Sequence, residues 1–294
     1  MDAVGIVGAG VMGLTAGRRI IESSRRVVAY DLAPRAQENA RQAGFEVTAS
    51  PAEVAGLCPI ILMFLPGPAQ IIECVAGPTG LLQTAPPGAI IVDLSTVDPG
   101  TTCRMAALAR DKGVGYVDAP VLGRPASVGK WALPVGGQAE DIERCRPILA
   151  VVASKIMHIG ESGSGNKIKL LNQMMFSAIN AMTAEMMAVA EKVGVPPKLL
   201  YETITSSQAG TVSNLFMELG KTIIHEQYDD PTFSVDLLCK DVRLAIDMAK
   251  AHNAPPLLAG LIQFMNETAQ AQGWGAKDTA VMWKACRSFW SRIE

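Results

Sequence analysis

The stretch GSGNKIKLLNQMM, residues 163 to 175, puts two lysines at the start of a run that reads as helix and carries no other charge. Lys167 and Lys169 stand two apart, roughly 200° round a helix of 3.6 residues per turn, so they cannot share a face. Lys169 falls on one side with Asn172, Gln173, Phe176, Asn180 and Thr183, while the other positions are largely Leu, Ile, Met and Ala. A polar stripe in an otherwise apolar helix reverses the proportions of a surface helix and predicts a mostly buried helix lining a wet cleft. A lysine desolvated there has its pKa lowered and exchanges a proton near neutral pH, as a general base in alcohol oxidation or a general acid in carbonyl reduction must. A lysine near a helix N-terminus can equally snorkel to solvent, and periodicity alone leaves both readings open.

The second chemical signal is Gly8-Ala9-Gly10-Val11-Met12-Gly13, which follows the apolar run VGIVG and opens a helical stretch. In a dinucleotide fingerprint the first glycine makes the tight turn, the second admits the pyrophosphate to the backbone, and the third lets the helix pack close. Asp31 ends the next strand-like run, where a carboxylate accepts bonds from an adenosine ribose and repels a 2′-phosphate, which favours NAD; Arg35 close by keeps NADP as an option. Leu65-Pro66 and Ser95-Thr96 lie where two further strands stop, the edge at which open α/β sheets bind ligands. Ser95 or Thr96 could also merely cap the helix that starts at Asp98-Pro99.

These residues need a scaffold, and the alternation of the chain supplies one. Of the 294 residues, 49% are hydrophobic and 18% charged, too apolar for disorder and long enough for two domains. The strand-like runs 4–8, 26–31, 59–66, 89–95 and 115–120 are separated by helical stretches near 11–23, 34–43, 68–75 and 98–112, and 131–137 and 155–160 extend the set. That pattern predicts a mostly parallel sheet with helices on both faces. After Gly165, apart from FSVD (233–236), everything reads as helix, broken at GVPP, QAG, DDP, NAPP and QGWG. The expected architecture is therefore α/β: a Rossmann-type doubly wound domain over 1–163, and an all-α domain over 164–294 joined to it by a long interdomain helix.

Several classes are excluded. Apolar runs such as PIILMFLP end far short of the roughly 20 residues a bilayer span needs. A net charge of −2 without a Lys/Arg cluster leaves nucleic acid no footprint, so small molecules are the expected partners. The six cysteines include no C-x-x-C and the histidines are only 158, 225 and 252, which points to inert thiols and no metal site. The N-terminus lacks a basic n-region and cleavage site, so a cytoplasmic location is expected.

Five motifs in order resemble the β-hydroxyacid dehydrogenases, the 3-hydroxyisobutyrate dehydrogenase and tartronate semialdehyde reductase group, over nearly the whole chain. They are the Gly8 to Gly13 fingerprint, Asp93-Leu94-Ser95-Thr96, Asp118-Ala119-Pro120-Val121 with Gly136-Gly137, the run from Gly160 to Gln173, and Lys240-Asp241-Val242-Arg243-Leu244-Ala245. The resemblance implies that Lys169 is the catalytic acid/base and that Asn172 and Gln173 help bind substrate, with Ser95 beside them. It also implies that Thr96 touches the nicotinamide ribose, and that Lys240 closes over the cofactor from the helical domain. The active site would lie between the domains, and Met- and Ala-rich faces over 170–192 and 232–250 suggest subunit contacts in a homodimer or homotetramer.

Two departures bear on the substrate. Where the family has Ser-Gly-Gly, this chain has Leu122-Gly123-Arg124, and Gln173 replaces an asparagine. Arg124 offers a fork for a carboxylate, sulfonate or phosphate, unless it is simply an exposed loop residue. The expected substrate is a small anionic hydroxyacid or aldehyde, and Gly123-Arg124 resembles the 3-sulfolactaldehyde reductase branch. An imine reductase, which usually lacks the lysine, a 6-phosphogluconate-type enzyme and a non-catalytic dinucleotide binder are the competing expectations.

Overall fold

The computed structural model describes residues 3–206 and 214–290, and the chain divides into two compact units, up to Lys169 and from Leu170 onward. The first unit runs β1 (Ala3–Val7), α1 (Val11–Glu22), β2 (Arg26–Tyr30), α2 (Pro34–Gln42), β3 (Glu46–Val47), α3 (Pro51–Leu57), β4 (Ile60–Met63), α4 (Pro68–Ala76), β5 (Ile90–Asp93), α5 (Pro99–Asp111), β6 (Gly115–Asp118), β7 (Trp131–Gly136), α6 (Ala139–Val152) and β8 (Ala153–Gly160). The strands form one sheet in the order β3, β2, β1, β4, β5, β6, β7, β8. Every pairing is parallel except that of β6 with β7.

Burial on both faces explains why these runs are continuously apolar. In β4, Ile60 and Leu62 enter one core and Ile61 and Met63 the other; in β5, Ile90 and Val92 alternate with Ile91 in the same way. The chain leaves β1 for β2 and β3, then returns to β4 on the other side of β1. The carboxyl ends of β1 and β4 therefore flank the switch point where such sheets open a crevice.

Two elements went unforeseen, β3 and α3. Two half-exposed residues cannot show an apolar run, so β3 left no pattern to read. Helix α3 did leave one: Ser50 accepts a bond from the Glu53 N–H and Pro51 fills the first position, a capped start legible in Ser50-Pro51-Ala52-Glu53.

The second unit is helical. Helix α7 (Ser164–Lys192) begins within the first unit, and α8 (Pro197–Ser206), α9 (Asn214–Ile224), α10 (Val235–Ala251), α11 (Leu257–Ala271) and α12 (Met282–Trp290) follow. Its larger core gathers residues such as Met187, Leu219, Ile223, Val235 and Trp283. The segment FSVD is the entry to α10, with the Ser234 hydroxyl accepting from the Leu237 N–H. The expected break QAG at 208–210 lies outside the described residues. Among those described, no helix is long and apolar enough to cross a membrane.

Candidate active site

The turn after β1 is held by close backbone packing. Gly8 has φ of 93° and donates to the Tyr30 carbonyl at 2.9 Å. A Cβ on Gly8 would stand 2.2 Å from the Phe64 oxygen, and one on Gly13 would stand 2.0 Å from the Gly8 oxygen. Gly10 differs: a Cβ there meets nothing within 4 Å, and as N-cap of α1 it offers no side-chain oxygen to the first-turn N–H groups. Those N–H groups, around Val11 and Met12, face an open cradle at a helix N-terminus, which fits a pyrophosphate.

Asp31, at the end of β2, braces this turn. One oxygen accepts from the Ala9 N–H at 2.7 Å and the other from the Ala33 N–H at 2.8 Å. Each carboxylate oxygen can accept more than one bond, so a ribose hydroxyl can still be received. Arg35 is exposed on the first turn of α2. Leu32, which sequence reasoning passed over, is an apolar side chain 84% exposed beside Asp31.

Two buried carboxylates, Asp93 and Asp118, lie opposite each other at the ends of β5 and β6. Asp93 accepts from the Ser95 N–H at 2.9 Å and the Tyr116 hydroxyl at 2.9 Å. Burial pushes its carboxyl up to about 6, against the pull of these Ser95 and Tyr116 bonds. Ser95 is itself buried, and its hydroxyl accepts from the Leu65 N–H at 2.8 Å. The structure thus sets Ser95 beneath Leu65-Pro66 as a support, with protein partners for its oxygen. Thr96, next in line, is half-buried.

Asp118 receives the Gly163 N–H at 2.8 Å and the Asn166 N–H at 3.0 Å. Beyond it the chain overhangs the sheet edge as a hairpin: Asp118 pairs with Gly136 and Leu122 with Ala132. Buried Trp131 anchors the overhang. Its indole N–H donates to the Arg124 carbonyl at 2.8 Å, its ring meets Phe64 edge-on, and a Cβ on Gly123 would stand 2.5 Å from it. Lys169, half-buried, donates from Nζ to the Val121 carbonyl at 2.9 Å. This brings Lys169 to the segment carrying Leu122, Gly123 and Arg124.

The remaining candidates belong to the second unit. Asn172 Nδ2 donates to Gln173 Oε1 at 3.3 Å, Gln173 Nε2 to Asp241 Oδ2 at 2.7 Å, and Lys240 Nζ lies 2.6 Å from Asp241 Oδ1. Asn172, Gln173 and Lys240 are thus strung on one polar chain through buried Asp241. The polar stripe expected along a wet cleft is divided: Asn172 is exposed, whereas Gln173, Asn180 and Thr183 are buried. Asn180 Nδ2 donates to the Thr279 carbonyl at 3.2 Å, so part of a stripe that the sequence assigned to water finds internal partners, while the buried Asn180 Oδ1 has none. Buried Cys58, Cys145, Cys239 and Cys286 have their thiols pushed up to about 12 by burial, as inert thiols would.

Residues 3–160 match the model of the NAD binding domain of 6-phosphogluconate dehydrogenase. Residues 163–286 match that of the NAD-binding region of NADP-dependent 3-hydroxyisobutyrate dehydrogenase. A 2-(hydroxymethyl)glutarate dehydrogenase of Eubacterium barkeri is 31% identical over 96% of this chain and 93% of its own. The chain belongs to the β-hydroxyacid dehydrogenase family. The family includes a 3-sulfolactaldehyde reductase of Escherichia coli K12, 27% identical over 98% of this chain and 96% of its own. A crystal structure of 3-hydroxyisobutyrate dehydrogenase from Salmonella typhimurium superposes with a TM-score of 0.89 at 27% identity, covering 97% of this chain and 99% of that one. The first unit is thus a dinucleotide-binding domain by this match.

Proposed function

We propose that the chain is a hydroxyacid oxidoreductase that oxidises the hydroxyl-bearing carbon of a small anionic β-hydroxyacid, or reduces the matching aldehyde, with Lys169 as general acid/base and NAD preferred over NADP. The observation that carries this reading is the half-buried Lys169 amine, bonded to the Val121 carbonyl at the root of the Leu122-Gly123-Arg124 loop. That carbonyl fixes where the amine stands on the segment leading into the loop. During oxidation Lys169 takes the hydroxyl proton onto Nζ; during reduction it returns that proton to the carbonyl oxygen. A bound dinucleotide supplies the hydride acceptor or donor. The Arg124 guanidinium suits the substrate's anionic group, and Trp131 holds the backbone that presents it.

The test is Lys169→Ala. Dinucleotide affinity should stay within twofold while kcat falls by about 10² or more, measured by titration and steady-state turnover; an unchanged kcat would end the lysine reading. Asp31 supports the NAD preference, so kcat/KM should be higher with NAD than with NADP, and the reverse would mean that Arg35 governs.

A second substrate reading, reduction of a sulfonated aldehyde, draws on Gly123-Arg124 and on the similarity to the sulfolactaldehyde reductase. Turnover of 3-hydroxyisobutyrate, glycerate, 4-hydroxybutyrate and a sulfonated analogue side by side separates the two. The same reading makes the protein a cytoplasmic homodimer or homotetramer. Its support is the apolar stripe that α11 exposes at Leu257, Leu261 and Phe264.

A further inference from the structure

The first unit contains two glycine-rich turns that gather backbone N–H groups at a helix N-terminus, and they differ in the anion each takes. The turn at Gly8 to Gly13 is open above Gly10. The turn at Gly160 to Gly165 is filled by the chain's own Asp118, whose two oxygens accept from the Gly163 and Asn166 N–H groups. Its close approach is built in from both sides. A Cβ on Gly136 would stand 2.5 Å from Asp118 Oδ1, one on Gly165 would stand 2.9 Å from Oδ2, and Gly163 takes φ of 92°.

The carboxylate is fully buried, so these bonds and the positive end of α7 are what make its burial tolerable. Asn166 adds bonds to the Val97 N–H and the Thr102 hydroxyl. Three residues after Asp118, on the same extended segment, Val121 receives the Lys169 amine. The start of α7 is therefore fastened to one stretch of backbone at two levels, the cap and the lysine.

We propose that Asp118 is the positioning residue for Lys169: by anchoring the first turn of α7 it fixes where the amine stands, without touching substrate or dinucleotide. The inference rests on the acid/base reading of Lys169.

Asp118→Asn keeps the shape but turns an N–H donor toward backbone donors, so one of the two anchoring bonds is lost. We expect kcat to fall about 10- to 100-fold, the scale of a misplacement near 1 Å, with KM and dinucleotide affinity within about twofold. The deciding measurement is the same substitution in a Lys169→Ala background. A residue that acts through the lysine adds no further loss there, whereas a general structural role lowers both backgrounds equally. Should Asp118→Asn fail to fold, Gly163→Ala strains the same turn through its positive φ, and the same cycle applies. A kcat unchanged by either variant, or an equal loss in both backgrounds, overturns the proposal while leaving the lysine reading intact. A Lys169→Ala enzyme with full activity overturns both.

Discussion

Asp93 shows how a residue far from solvent can contribute to the pH response of the chain. Its carboxyl sits at about 6 in the folded protein against 3.8 for an ordinary aspartate, because burial outweighs the bonds from Ser95 and Tyr116. Between pH 4 and 6 the native state holds a proton that the unfolded chain has released, so stability should fall as pH rises through this window, by up to about 3 kcal/mol. Asp93→Asn cannot titrate and should flatten that slope, which urea titrations at several pH values will measure; an unaltered slope would assign it to other groups. At this scale the sequence was legible where a residue's type is its function. Asp31 and the glycines stood out by type and spacing, whereas for Lys169 spacing left two readings open and only the family resemblance chose between them. Asp93, Asp118 and Asp241 appeared only as letters in motifs, because the identity of a buried carboxylate's partners depends on which strands and helices become neighbours. One signal was available: Asp93 and Asp118, like Asp31, end apolar runs.

Among the elements, the contact of α1 with the turn before it is the tightest joint near the crevice. Gly13→Ala would push a methyl to 2.0 Å from the Gly8 oxygen. Overpacking of this kind costs about 1–3 kcal/mol, so we expect a lower midpoint in thermal or urea unfolding together with weaker dinucleotide binding. Loss of neither would mean that α1 can slide. The helices of the first unit were readable because capping and apolar runs are local. The fate of the α7 stripe was not, since whether Gln173 and Asn180 meet water or protein is decided by α10 and the Thr279 carbonyl, both distant in the chain.

For the molecule as a whole, the α/β-then-α order was plain in the sequence, because short apolar runs alternating with helical stretches give way to helix almost throughout after Gly165. Exposed apolar surface was not, as periodicity tells which residues share a face but not whether that face finds a neighbour. Leu261 and Phe264 are 62% and 64% exposed. If α11 joins subunits, Leu261→Asp with Phe264→Asp should lower the mass seen by light scattering, and an unchanged mass would acquit this helix. The β6–β7 overhang has a further implication. Its ladder closes at Leu122 and Ala132, above the last parallel register at Asp118. Residues 124–130, between that pair and the start of β7, can therefore gain or lose members in related genes without shifting any strand, so on the proposed function selection can retune which acid is accepted while Lys169 and its mooring stay as they are.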